Sequence, residues 1–181
     1  MVIFRAGCGC PGKAVTEGQS FLEIGSRQFD EQVEIWDDPA LPGSVGLGFD
    51  GEGTPKRRLA LVEAGVARTA THDRKTAARV GGESTGHSVP GMEAWGAMAT
   101  DLVVGGGRAP ESEMIAAVER GLYVSTFNYC RVLDPRTLVV TGLTRNGTFM
   151  IENGAITGAV TNLRFTQSFV AALGPGRVLD L

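Results

Sequence analysis

Residues 137–156 read TLVVTGLTRNGTFMIENGAI, and this stretch decides the class of fold. It contains two Asn-Gly pairs, beginning at Asn146 and at Asn153, and apolar or β-branched residues flank each pair. Asn-Gly suits the two-residue turns of β-hairpins, because both turn positions adopt a positive φ. The stretch from 137 to 160 therefore predicts a β-meander with a turn at each pair.

Shorter strands are predicted on the N-terminal side of this meander. Residues 31–36, EQVEIW, alternate apolar and acidic side chains, which is typical of a strand with one face in water. Residues 59–62 and 66–71 carry aliphatic or β-branched side chains and flank the short segment Glu-Ala-Gly. They therefore predict a hairpin.

The predicted helices are short. Asp73 is the predicted N-cap of a helical turn over residues 74–79. Residues 110–120 begin with proline, carry acids in the first turn and repeat apolar residues at helical spacing, and residues 165–173 end before a Gly-Pro pair. Both segments predict helices. Because strands do not alternate with long helices, we expect a β-rich α+β fold, an antiparallel, barrel-like meander with two or three short helices.

Composition sets the size of the protein and limits its partners. The 181 residues are 43% hydrophobic, which suffices for one substantial core, and we expect a single domain over residues 1–181. The formal net charge is -3 and basic residues form no long block, so direct binding of nucleic acid is not expected. The apolar runs are far shorter than a membrane span, so membrane association is not expected either.

The three cysteines argue against a disulfide framework, because their number is odd, and they favour a cytoplasmic location. Cys8 and Cys10 form a C-x-C pair, which could in principle join His72 and His87 as four zinc ligands. Their spacing does not resemble paired zinc knuckles, so we do not predict a structural zinc site.

Residues 49–58, FDGEGTPKRR, combine two acids with three basic residues. Asp50 and Glu52 lie two positions apart, so they could bind a cation or act in acid-base catalysis. The alternative is a tight turn, because glycines on either side of Glu52 permit positive φ and the basic residues can pair with the acids at the surface. We favour the turn, because two acids without a third oxygen ligand make a poor cation site. The basic residues concerned are Lys56, Arg57 and Arg58.

Residues 80–96 contain five glycines and predict a long loop, a kind of segment that often carries function. Within it, Ser84 and His87 place a hydroxyl and a titratable imidazole close together. The other interpretation of His87 is a surface or hydrogen-bonding residue. Cys130 lies in a predicted strand and is interpreted as a small apolar residue, while a nucleophilic pair of Cys130 with His87 is a marginal alternative.

Four segments resemble, in order and spacing, the C-terminal half of the TldD/PmbA family, proteins once named modulators of DNA gyrase. They are FDGEGTPKRRLALVEAGV at 49–66, DRKTAARVGGESTGH at 73–87, the long run 119–156, and NLRFTQSF at 162–169. The resemblance covers residues 13–173 and is closer to the PmbA branch, which is similar to TldE. It implies a C-terminal domain that is truncated at both ends and lacks the family's N-terminal α/β domain.

The resemblance also implies a function. TldD-type and PmbA-type subunits of the family form a cytosolic hetero-oligomer that degrades unfolded peptides. Their zinc-binding H-E-x-x-x-H helix belongs to the TldD-type subunit and does not occur here, so the implied role is a non-catalytic PmbA-like domain. The chain itself is then expected to bind no cofactor, with zinc in the partner subunit, and no ligand role is assigned to Cys130.

The family motifs identify candidate residues of a peptide groove. In the FD-x-EG-x-P signature, Asp50 and Glu52 become residues that shape a turn near the substrate. The full set of candidates is Asp50, Glu52, Gly53, Ser84, Thr85, Gly86, His87, Tyr123 and Asn128. The alternative function is a stand-alone β-rich module that binds peptides or acts as a scaffold without protease activity.

Overall fold

The computed structural model describes residues 11–44, 46–105 and 107–180, and within these ranges it has two open antiparallel sheets and four short helices. The first sheet has the strand order β3-β2-β1-β4. Its strands are β1 (Glu34–Asp37), β2 (Leu59–Glu63), β3 (Val66–Ala67) and β4 (Leu102–Gly105). The class is β-rich α+β as predicted, although the strands form two open sheets rather than one barrel-like meander.

The second sheet is built around one long strand. Strand β6 (Val139–Glu152) pairs along its whole length with β5 (Arg120–Asp134). On its other edge, β8 (Arg164–Ser168) pairs with the beginning of β6, and β7 (Ala155–Ala159) pairs with its end. The hairpin of β6 and β7 turns at Asn153 and Gly154, both at positive φ, which confirms the second predicted turn.

Local sequence signals explain the helices. They are α1 (Gly12–Thr16), α2 (Arg74–Arg79), α3 (Glu111–Ala116) and α4 (Phe169–Ala172). The predicted cap of α2 is confirmed, because Asp73 accepts a hydrogen bond from the Thr76 N–H at 2.6 Å and Thr76 Oγ1 accepts one from the Asp73 N–H. This reciprocal pair satisfies two N–H groups that an isolated helix would leave unpaired.

The hydrophobic core lies between the first sheet and the end of the second sheet where β5 and β6 join. Ile35, Leu61 and Val62 contribute from the first sheet, and Leu138 and Val140 from the second. Phe169 and Val170 of α4, together with Phe165, pack against this cluster. The alternation predicted for residues 31–36 is confirmed in part, because Val33 and Ile35 are both buried while the strand begins later, at Glu34.

The first Asn-Gly pair does not form the predicted turn. Asn146 and Gly147 lie inside β6, where both have a positive φ and together face the single residue Ser125 of β5. They form a β-bulge, and the Ser125 hydroxyl is within hydrogen-bond distance of the carbonyls of Arg145 and Gly147, at 3.2 and 2.9 Å. A bulge and a hairpin turn both require positive φ, so the dipeptide alone does not distinguish them.

Two predicted helices are shorter than expected. The helix predicted over 110–120 ends at Ala116, because Arg120 and Gly121 already pair with Glu152 and Ile151 as the start of β5. The helix predicted over 165–173 is wrong for its first four residues, which belong to β8, and right for Phe169–Ala172, which form α4. Here strand pairing overrides the local helical pattern.

The hairpin predicted from residues 59–62 and 66–71 is confirmed as β2 and β3, with Ala64 and Gly65 in the turn at positive φ, although its second strand ends already at Ala67. The long loop predicted over residues 80–96 is also confirmed, because this segment contains neither a helix nor a strand. Within the described ranges, no helix is both long and apolar enough to cross a membrane.

Candidate functional site

The stretch FDGEGTP folds into a turn that is fixed by the Asp50 carboxylate. Asp50 is 8% exposed and accepts hydrogen bonds from the backbone N–H groups of Glu52 at 2.9 Å and Thr54 at 2.8 Å. Its second oxygen accepts one from the Ser88 N–H at 3.0 Å. Asp50 thus closes the turn and ties it to the long loop, in agreement with the turn interpretation of this motif.

We expect Asp50→Ala to destabilise the domain by about 2 kcal/mol, because it leaves three backbone N–H groups without their charged acceptor. The free energy of unfolding in urea measures this loss. Asp38→Ala is the matched control, because Asp38 accepts a single hydrogen bond, from the Ala40 N–H. Equal losses for the two variants would contradict the role given to Asp50.

His87 lies at the bottom of the same site and is 1% exposed. Its Nδ1 atom is 2.8 Å from the carbonyl oxygen of Thr85, and its Nε2 atom is 3.0 Å from Asp37 Oδ1. A carboxylate oxygen can only accept a hydrogen bond, so Nε2 donates to Asp37, whereas Nδ1 also lies 3.0 Å from the Thr85 hydroxyl oxygen. His87 is therefore a buried, hydrogen-bonded residue that fixes the loop to β1.

Lys56 completes a buried network of charged groups. Its ammonium group lies 2.9 Å from Asp101 Oδ2 and 3.4 Å from Asp37 Oδ1, and its side chain is only 5% exposed. The prediction that Lys56 pairs with the acids of its own turn at the surface is therefore wrong. Pairing with two distant carboxylates removes this ammonium from water without leaving it unpaired.

Asp37 is the centre of this network. It is fully buried, which opposes ionisation, but the hydrogen bonds from His87 and from the Asp101 N–H and the charges of His87 and Lys56 outweigh that effect. The pKa of Asp37 is consequently below its ordinary value. The pKa of Asp101 is lowered too, where burial is outweighed by contacts with the hydroxyls of Ser44 and Thr100 and with Lys56.

An apolar groove of about 450 Å³ lies over this network. Lys56, His87 and Asp101 lie along its floor. Leu47 and Phe49 are each 61% exposed at its rim, although both are apolar. The apolar residues that line the groove are Leu47, Phe49, Val89, Pro90 and Met98. Such a concave surface, apolar at the rim with a few polar groups below, is typical of a ligand site.

Most of the predicted site residues either line the groove or hold the segments that line it. Asp50, Gly86 and His87 line the groove. The Ser84 and Thr85 hydroxyls are both 3.1 Å from the His72 carbonyl oxygen and hold the loop against the segment that precedes α2. Glu52 accepts a hydrogen bond from the Arg74 N–H at the start of α2. Gly53 has a positive φ, as the turn requires.

Tyr123 and Asn128 are not part of the groove. They lie on β5 in the second sheet, where the Tyr123 ring contacts Phe149 and Asn128 Oδ1 accepts a hydrogen bond from Arg145 at 3.3 Å. Asp37 and Asp101 are the residues that the sequence interpretation missed. Neither belongs to a motif, and only strand pairing between β1 and β4 brings them together.

The described residues do not fit a zinc site. They contain no group of three or more histidine, cysteine or acidic side chains placed to hold a metal ion. Both nitrogens of His87 are engaged, and Cys130 lies beside Gly142 in the second sheet, where burial raises the pKa of its thiol. Cys8 and Cys10, which were considered with His72 as zinc ligands, lie outside the described residues.

Residues 4–175 match the family model of the PmbA/TldA metallopeptidase C-terminal domain. Two archaeal proteins named metalloproteases are similar to part of the chain. The protein of Archaeoglobus fulgidus is 37% identical over 70 residues, which is 38% of this chain and 16% of that protein. The protein of Methanothermobacter thermautotrophicus is 34% identical over 76 residues, 41% of this chain and 17% of that protein.

Solved structures share the fold. TldE from Thermococcus kodakarensis superposes with a TM-score of 0.81 at 22% identity, over 96% of this chain and 40% of that chain. A candidate modulator of DNA gyrase from Thermotoga maritima superposes with a TM-score of 0.79 at 24% identity, over 92% of this chain and 38% of that one. The present chain therefore corresponds to about two fifths of the length of these relatives of known structure.

Proposed function

Because this chain belongs to the PmbA/TldD family of metallopeptidase-related proteins, we propose that it is a PmbA-like, non-catalytic domain of a zinc metalloprotease complex. In this proposal it holds an unfolded or extended peptide while a TldD-type partner subunit, which carries the zinc, cleaves it. The proposed location is the cytoplasm, because three cysteines, an odd number, do not suit a disulfide framework and fit a reducing compartment.

The observation that carries the proposal is the apolar groove above a rigid polar floor. Each charged group of the floor pairs with another group of the protein. The floor therefore holds the shape of the groove and offers no free reactive group to a substrate. Leu47 and Phe49 stand exposed at the rim, where they can contact an apolar side chain of a peptide. Such contacts depend on apolar area more than on sequence, which suits unfolded substrates.

The test combines this chain with a TldD-type subunit in the presence of zinc. Light scattering after size exclusion measures association, and cleavage of a labelled unfolded protein measures activity. We expect the two chains to associate and the complex to cleave faster than the TldD-type subunit alone. Chelation of zinc should abolish cleavage and leave this chain folded, which circular dichroism verifies.

Replacing the rim residues tests the groove itself. We expect the double variant Leu47→Ser, Phe49→Ser to associate normally but to raise the KM for the unfolded substrate roughly tenfold, because it removes two exposed apolar side chains that would contact the peptide. Trp95→Ser is the matched control, since Trp95 is 65% exposed and does not line the groove. If both variants changed KM equally, the groove would not be the peptide site.

The alternative is a stand-alone β-rich module that binds peptides or acts as a scaffold. The two proposals predict different results for the association experiment described above. A folded chain that does not associate with any TldD-type subunit, yet binds unfolded peptide, would favour the alternative. Zinc-dependent cleavage by this chain alone would contradict both proposals.

A further inference from the structure

Three arginines lie on the face of the second sheet that points away from the core. Residues 140, 142 and 144 of β6 are buried, whereas Leu143 and Arg145 are exposed, so the odd-numbered side chains of this segment point outward. Leu143 pairs with Arg164 of β8 on one side. Since directly paired residues share a face, Arg164 points outward beside Leu143.

Strand β5 adds a third arginine and an aromatic ring to this face. Arg131 pairs with Thr141, two residues before Leu143, and therefore points to the same side. Its guanidinium lies 4.8 Å from the centre of the Tyr129 ring, which is 67% exposed. We call this surface the arginine face and define it by Tyr129, Arg131, Leu143, Arg145 and Arg164.

The arginines of this face are not neutralised by ion pairs with other described residues. Within the described ranges, none of its three guanidinium groups makes an ion pair with a carboxylate, although the chain has 20 acidic and only 17 basic residues. Arg145 instead contacts the Asn128 side chain. The nearest acid along β5, Asp134, is engaged at the β5–β6 turn by the Arg136 N–H and the Thr137 hydroxyl.

We propose that the arginine face binds an acidic protein segment in which carboxylates flank an apolar side chain. Guanidinium groups pair with carboxylates in a fixed, often bidentate geometry. Leu143 is 40% exposed between the arginines and can contact the apolar side chain of the bound segment. This site does not depend on the proposed function, because none of its residues lines the groove.

A protein segment fits this face better than a nucleic acid does. The protein carries a formal net charge of -3, so the sequence-independent attraction that nucleic acids require is weak over the molecule as a whole. The arginines also lie on neighbouring strands of one sheet, with an aliphatic side chain between them, rather than in a continuous basic groove.

The test measures binding of a short fluorescein-labelled peptide, made of glutamates around a central leucine, by fluorescence anisotropy at rising salt concentration. We expect binding that weakens with salt. The triple variant Arg131→Gln, Arg145→Gln, Arg164→Gln should bind roughly tenfold more weakly, because each exposed ion pair contributes roughly a factor of two. A peptide with alanine in place of leucine should bind the wild-type chain more weakly as well.

Two controls make the result decisive. The variant Arg57→Gln, Arg74→Gln, Arg108→Gln removes the same charge from exposed positions outside the arginine face and should leave binding unchanged. An equal loss of binding in this variant would show that only the net charge of the protein matters, and it would overturn the proposal. Labelled single-stranded DNA that bound as tightly as the peptide, with the same dependence on the three arginines, would also overturn it.

Discussion

Asp37→Asn should destabilise the domain by about 3–5 kcal/mol, the range for removing one partner of a buried ion pair. The asparagine keeps the shape of the side chain but not the negative charge that Lys56 and His87 face. Since a domain of this kind is stable by only about 5–15 kcal/mol, the variant should unfold at a clearly lower urea concentration than the wild type. Urea unfolding near neutral pH, followed by circular dichroism, measures the change.

The dependence on pH separates the charge of Asp37 from its packing. A carboxyl group whose pKa is lowered in the folded state contributes stability above its unfolded pKa of about 4, and this contribution is lost as the pH falls through the folded value. The difference in stability between wild type and Asp37→Asn should therefore shrink in acid. Asp38→Asn is the matched control and should change little. A difference that stayed constant down to strongly acidic pH would contradict the assignment.

Gly86→Ala should destabilise the domain by about 3 kcal/mol or more. Gly86 has a φ of +75°, which costs an alanine about 1–2 kcal/mol. A Cβ atom would in addition lie 2.6 Å from the carbonyl oxygen of Pro55, so the backbone of the loop or of the turn must move. His87 is the next residue, and we expect the shift to weaken its hydrogen bond with Asp37.

Gly91 provides the matched control for this prediction. It lies in the same loop with a φ of +79°, but a Cβ atom there would meet nothing within 4 Å. Gly91→Ala should therefore be destabilised only by the cost of the positive φ, about 1–2 kcal/mol. Thermal unfolding of both variants separates the strain from the steric clash. If the two melted at the same temperature, the close approach to Pro55 would have no energetic importance.

Local signals in the sequence identified several elements correctly. Asp73 as a helix cap and the turn at Asn153 depend on residues within four positions, so the chemistry is visible in the sequence. The segment 165–173 is different, because its preference for a strand arises from pairing of β8 with β6. The bulge at Asn146 likewise depends on which residue of β5 lies opposite.

The same distinction applies to the candidate site. The turn at Asp50 and the STGH loop could be predicted from the sequence, since glycines next to an aspartate are typical of a turn. The charged floor could not, because Asp37, Lys56 and Asp101 are far apart in sequence, and neither Asp37 nor Asp101 stands in a recognisable motif. Their association is a property of the strand order.

The pairing of β1 with β4 determines how easily the groove loses its shape. It joins residue 37 to residue 102, so the chain between them forms one long closed loop, whereas β5 and β6 are joined by a short turn. Closing a long loop sacrifices more chain entropy than closing a short one. If β4 detaches, the Asp101 N–H leaves Asp37 and the floor loses its shape, while the pairing of β5 with β6 can persist. The shape of the groove thus depends on the pairing of β1 with β4, which costs the most chain entropy in the first sheet. The arginine face does not depend on this pairing.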